Sequence, residues 1–150
     1  MKPKRVLFLC IGNSCRSQMA EGFARAYGKD VLEPHSAGFF PANIVSPLTI
    51  KTMAEKNIAM NAAFPKPLES ALASGPFDAI VNMAGEKLPA VVTAPRVEDW
   101  KVRDPIGESE EVFRDVANQI EHLVMRLILQ LRAEPRAAPE FDMPRLRRRQ

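Results

Sequence analysis

Two cysteines, Cys10 and Cys15, flank Ile11-Gly12-Asn13-Ser14 and are followed at once by Arg16 and Ser17. A cysteine held as its thiolate is a strong nucleophile. An arginine six residues further on supplies a planar fork of donors that suits two oxygens of a tetrahedral oxyanion. Gly12 lets the chain curl between them, so the backbone N–H groups of Ile11, Gly12, Asn13, Ser14, Cys15 and Arg16 can converge on one anion. Cys10 at the base of such a nest sits in a positive field, which is expected to lower its pKa. Ser17 can donate a hydrogen bond to the sulfur and steady it as nucleophile and leaving group. Asn13 and Ser14 are expected to shape the loop through local backbone hydrogen bonds. A cysteine is often only a small buried hydrophobe. That reading leaves the Gly, Asn, Ser and Arg at these positions unexplained. The chemistry that follows is attack by Cys10 on a bound oxyanion.

A nest of this kind belongs between a strand and a helix, where the helix N-terminus adds its positive end. The flanks agree. Val6-Leu7-Phe8-Leu9 is a continuous apolar run of strand length, typical of a parallel strand covered on both faces. From Ser17 the period turns helical, with Met19, Phe23, Ala26 and Tyr27 expected inward and Gly28 as the stop. A second strand is expected at Val31–Glu33 and a loop from Gly38 to Asn43. Ser46 then caps a helix with Pro47 at its first position, running to Asn57 with Ile50, Met53 and Ala54 inward. Asn61 to Pro67 reads as loop and Leu68 to Ala73 as a short helix. Phe77–Val81 and Arg96–Val102 read as third and fourth strands. Phe113, Val116, Ile120, Leu123, Leu127 and Leu131 mark one face of a long last helix, with Glu108, Glu110 and Glu111 suited to its positive end. Alternating strands and helices predict an α/β fold: a four-stranded parallel sheet with helices on both faces and its site at the carboxyl ends of the strands.

The chain has 150 residues, about one domain's worth, with 46% hydrophobic and 26% charged residues. That composition excludes intrinsic disorder, and no apolar run approaches a membrane span. The expected setting is cytoplasmic, without a membrane partner. The net charge of +3 is a property of the end of the chain: Arg132 onward holds six arginines and three acids, leaving residues 1–131 balanced. We therefore divide the chain into a domain at 1–133 and a Pro/Arg-rich tail at 134–150, with no nucleic-acid role expected. Two cysteines and two distant histidines, His35 and His122, do not make a metal-ligand set, and none is assigned.

Cys10 to Ser17 resembles the phosphate-binding loop of the low-molecular-weight protein tyrosine phosphatases and of the arsenate reductases that share their fold. The resemblance extends through Ser17-Gln18-Met19-Ala20-Glu21-Gly22, His35-Ser36-Ala37-Gly38, and Trp100 before Asp104-Pro105-Ile106-Gly107. It implies that Cys10, Arg16 and Ser17 are catalytic and that Asp104 arrives over the anion as general acid. A departing ester oxygen needs such a proton, although Asp-Pro is also an ordinary turn starter.

Both activities begin with Cys10 attacking an oxyanion; the second step separates them. A phosphatase hydrolyses the cysteinyl-phosphate, whereas a reductase needs another thiol to attack the cysteine-arsenic adduct. Gln18 after Ser17, and Ile106-Gly107 after Asp104-Pro105, resemble the reductase branch. An aromatic clamp for a phosphotyrosine ring would have to come from Phe39, Phe40 or Trp100, since Tyr27 is expected in helix packing. Against this, Val81-Asn82-Met83-Ala84-Gly85-Glu86-Lys87 lacks the redox cysteines of thioredoxin-coupled reductases. Residues 62–66 lack the acidic and histidine residues that would support a potassium site at Asn13, Glu21 and Ser36. The resemblance thus implies an arsenate reductase-like enzyme whose adduct is resolved by an external small thiol with a glutaredoxin-like partner, and no resident cofactor. Its alternatives are a phosphatase acting on phosphotyrosine or aryl phosphate, and a non-catalytic oxyanion binder or redox sensor. Cys15 is read either as reversible protection of Cys10 or as a packing thiol.

Overall fold

The computed structural model describes residues 2–135. Four strands, β1 (Lys4–Cys10), β2 (Leu32–Gly38), β3 (Ala79–Asn82) and β4 (Arg96–Asp99), form one sheet in the order β2-β1-β3-β4. Every pairing is parallel. The helices are α1 (Arg16–Tyr27), α2 (Pro47–Glu55), α3 (Leu68–Ala73) and α4 (Glu110–Ala133).

Because strand side chains alternate, β1 feeds two cores. Val6, Phe8 and Cys10 join Met19, Phe23, Ile120, Val124 and Ile128 beneath α1 and α4. Leu7 and Leu9 face the opposite layer with Ile80, Leu68 and Ala71 under α3. Phe8, Phe23 and Phe113 are fully buried, and truncating any one of them to alanine is expected to cost about 3–5 kcal/mol. Cys10 is therefore the last inward residue of a two-sided buried strand, which fixes its position from behind. No helix among the described residues is long and apolar enough to cross a membrane.

Several elements depart from the sequence reading. β2 is seven residues, not three, because register with β1 from Lys4↔Leu32 to Cys10↔Gly38 overrides its polar composition. Pro34 fits inside it because β2 is an edge strand and needs no donor on its free side. β3 is shifted to Ala79–Asn82, β4 stops at Asp99, and α2 stops at Glu55. On α1, Ala26 and Tyr27 are exposed; the inward stripe instead runs through Ala20 and Ala24. On α2, Ala54 is exposed and Ile50 half-buried, while Thr49, Thr52 and Met53 face in. Ser46 makes no side-chain cap, whereas Ser109 caps α4 by accepting from the Val112 N–H at 3.3 Å. Apart from its first two residues, the expected tail lies outside the described residues.

Candidate active site

Ile11–Cys15 links the end of β1 to the start of α1, at the carboxyl edge of the sheet. The outer face of this loop is tied down carbonyl by carbonyl. Cys10, Ile11 and Gly12 accept from the N–H groups of Phe39, Phe40 and Ala42 at 3.3, 2.8 and 2.9 Å. The Ser14 carbonyl accepts from the Ser46 N–H at 3.2 Å and the Thr49 hydroxyl at 2.9 Å. Among the described residues, the N–H groups of Ile11 to Arg16 donate to no backbone carbonyl. With the carbonyls turned outward and held there, those donors are left for an anion, next to the N-terminus of α1.

The tight curl is made differently from expectation. Gly12 lies outside the positive-φ region and has room for a methyl group; the left-handed residue is Asn13, at φ 49°. Asparagine tolerates that region better than most residues. Nor do the side chains of Asn13 and Ser14 bond to the loop's own backbone. Ser14 Oγ donates to the Ile44 carbonyl at 3.1 Å and accepts from the Ser46 N–H at 2.9 Å, while Asn13 reaches Ser17, Gln18 and Lys66. The loop's shape is set by segments thirty and fifty residues away. Gly38 is required there for its lack of a side chain: a Cβ at this position would lie 2.8 Å from Asn13 N and Ile11 O.

The bonds of Asn13 impose a direction on the nucleophile's surroundings. The backbone N–H of Lys66 can only donate, and it lies 2.8 Å from Asn13 Oδ1, with Gln18 Nε2 3.0 Å from the same oxygen. Asn13 Nδ2 must then donate to Ser17 Oγ, 2.6 Å away. With a donor arriving at its oxygen, the Ser17 hydroxyl is free to direct its proton to Cys10 Sγ at 2.9 Å. A donor at that position steadies the sulfur as nucleophile and as leaving group. All of Cys10, Asn13, Ser17 and Gln18 are buried.

Arg16 is buried and braced from the opposite side. Its Nη1 donates to the carbonyls of Met83 at 2.5 Å and Val102 at 3.2 Å, just past β3 and β4. Its Nη2 lies 3.6 Å from Asp104 Oδ2. Asp104 itself is half exposed, with Oδ1 accepting from the Ile106 N–H at 3.1 Å. One carboxylate oxygen thus serves the turn and the other faces the arginine.

Cys15 points into the apolar cluster rather than the nest, and burial pushes its thiol pKa up. Both cysteines are free. Phe39 packs against the second core and Trp100 is buried against Phe8, ring centroids 6.0 Å apart. Of the three aromatic clamp candidates, only Phe40 is exposed, at 77%.

Around Glu21 the charge is balanced by the protein itself. Oε1 accepts from the Ser36 hydroxyl and lies 3.5 Å from Lys66 Nζ, while Oε2 lies 2.7 Å from Arg25 Nη2. No cluster of three or more His, Cys, Asp or Glu suited to a metal ion occurs among the described residues.

The contacts of Gln18 and Lys66 with Asn13, and the bracing of Arg16 by the carbonyls of Met83 and Val102, are absent from the sequence reading. Carbonyls leave no trace in residue type. Lys66 did leave one: it stands between Pro65 and Pro67, and a residue before proline is held extended. In that conformation its N–H meets Asn13 and its carbonyl accepts from Gly38 N at 2.9 Å.

The sequence pattern described as "Low molecular weight phosphotyrosine protein phosphatase" matches residues 5–137. A relative named "Glutaredoxin arsenate reductase", from Synechocystis sp., is 37% identical over 131 residues, covering 85% of this chain and 98% of its own. The "Arsenate reductase" of Bacillus subtilis is 35% identical over 129 residues, covering 80% of this chain and 91% of its own. Among solved structures, "An arsenate reductase in the phosphate binding state" superposes with TM-score 0.78 at 38% identity, covering 85% of this chain and 98% of that one. A low-molecular-weight protein tyrosine phosphatase from T. tengcongensis gives 0.69 at 28% identity, covering 85% and 99%. The chain belongs to the low-molecular-weight phosphotyrosine protein phosphatase family, in its arsenate-reductase-like branch.

Proposed function

We propose that this protein is an arsenate reductase in which Cys10 is the nucleophile and an external thiol resolves the adduct. The observation that carries this reading is the buried bond chain from Lys66 through Asn13 and Ser17 to Cys10, beside a loop whose carbonyls are held outward and whose N–H groups are left for an anion. In the proposed cycle the nest and Arg16 hold arsenate while Cys10 Sγ attacks arsenic and an arsenic oxygen, protonated by Asp104, leaves as water. A thiolate then attacks Cys10 Sγ. The S–As bond breaks with its electron pair going to arsenic, As(V) departs as arsenite, and a mixed disulfide remains on Cys10. A second thiol attacks the outer sulfur and frees Cys10. Two thiols are oxidised to one disulfide for each arsenate reduced.

The cysteine inventory supports an external source for both thiols. Only Cys10 and Cys15 exist, and Cys15 is buried with a raised pKa, which suits a packing thiol. The relative named glutaredoxin arsenate reductase supports a small thiol with a glutaredoxin-like protein as the electron source. A second reading, an aryl phosphate or phosphotyrosine phosphatase, draws on Asp104 beside Arg16 and on Phe40, the exposed one of the three clamp candidates.

Arsenite release from arsenate with glutathione and glutaredoxin, measured beside phosphate release from an aryl phosphate, separates these readings. Arsenite production by the wild type and none by Cys10→Ser is expected. Phosphate release without arsenite would make the protein a phosphatase; neither product would leave an anion binder or redox sensor.

A further inference from the structure

If Cys10 is resolved from outside, the incoming thiol needs a path and a hold. A groove opens between the loops that follow β3 and β4, with Arg16 at one end. Its floor is apolar, from Leu88, Trp100 and Val102. Lys87 stands on one rim and Lys101 on the other; both are exposed, and neither has an ion pair among the described residues, where Arg103 is matched by Glu108. Glu86 and Asp99 complete the charged rim. The groove follows the segment in which no cysteine occurs, residues 81–87, and adjoins the same Met83 and Val102 that brace Arg16.

We infer that this groove is the subsite for the resolving thiol and that it takes an anionic peptide thiol of the glutathione type. The match is chemical. Such a tripeptide carries two carboxylates, one ammonium and a central thiol, against two unpaired lysines, two acids and an apolar floor between them. Opposite charges spread across a rim set orientation and raise the encounter rate, even where each pair contributes little on its own. Arg16 lines the groove and also belongs to the oxyanion nest, so a thiol seated there is held beside the loop that carries Cys10. The opposite flank of the site differs in kind: Phe39 to Ile50 contains no charged residue and offers an anionic thiol nothing to grip.

The inference rests on the reductase reading but has its own test. S-methylglutathione, which cannot react, is titrated into the wild-type protein and backbone amide shifts are followed by NMR. Shifts at Glu86–Leu88 and Trp100–Arg103 are expected; no shifts, or shifts confined to Phe39–Ile50, overturn the subsite whether or not the protein reduces arsenate. In turnover, the variant Lys87→Glu/Lys101→Glu is expected to lower kcat/KM for glutathione, relative to uncharged 2-mercaptoethanol, by about tenfold. An unchanged ratio overturns it. Absence of arsenite with either thiol would instead refute the reductase reading, and the NMR titration would still decide the groove.

Discussion

The two walls of the site are built on opposite plans. On one side, residues 38–49 and 64–66 lock the anion loop through its carbonyls, through Asn13 and through a backbone approach that only Gly38 permits. On the other, Lys87 and Lys101 are exposed around a groove, and the exposed Asp104 meets Arg16 at the loose distance of 3.6 Å. The locked wall fixes where the anion and the nucleophile sit. The open wall leaves room for what must come and go, a proton and a second thiol. Preorganised donors stabilise developing charge without rearrangement, whereas a reductant has to enter and leave in every cycle.

Changes on the open wall should affect reaction steps more than anion binding. Asp104→Asn is expected to slow aryl phosphate hydrolysis by about a hundredfold, the usual scale of general acid catalysis. It should also tighten phosphate inhibition, because a negative charge beside Arg16 is removed. Weaker inhibition would mean that Asp104 organises the loop rather than supplying a proton.

Changes on the locked wall should damage the nest itself. Gly38→Ala forces a methyl against the backbone of Ile11 and Asn13, with an overpacking cost of about 1–3 kcal/mol. Both a lower Tm and weaker phosphate binding are expected, and normal phosphate binding would show that the loop yields without consequence. Ser17→Ala and Asn13→Ala act in series on one sulfur. Each should slow iodoacetamide alkylation of Cys10 about tenfold, and the double variant little more than either alone. Additive losses would break the directional relay.

The smallest effect is expected between the walls, at Cys15. Burial raises its thiol pKa from the ordinary value of 9.0. Below that value both folded and unfolded chains keep the proton. Above it the unfolded chain releases the proton first, so stability falls as pH rises. Cys15→Ala should therefore leave turnover nearly intact and flatten the alkaline loss of stability, as followed by chemical denaturation between pH 7 and 10. Loss of turnover would give Cys15 a redox role.

The same division governs what could be read from the sequence. The gathering of Cys10, Arg16 and Ser17 at one loop was legible because thiol, fork and hydroxyl sit within eight residues between an apolar strand and a helix. The parallel sheet was legible from Val6–Leu9 and from the stripe on α4. Asn13's role was not, since its partners Lys66 and Gln18 come together only when β2 brings Gly38 and Pro67 side by side. The length of β2 was hidden for a related reason: Ser36 and His35 look like loop residues until Glu21 and Glu33 accept their hydrogen bonds. Gly12 drew attention as the turn former, yet the backbone gave that task to Asn13.

The central claim, that Cys10 is the nucleophile and its resolving thiol comes from outside, is tested by acid-quenching the protein during arsenate turnover with glutathione and no glutaredoxin, then mapping disulfides by mass spectrometry. A glutathione mixed disulfide on the Cys10 peptide, with Cys15 free, is the predicted result. A Cys10–Cys15 disulfide, or arsenite formed with Cys10 unmodified throughout, would contradict it.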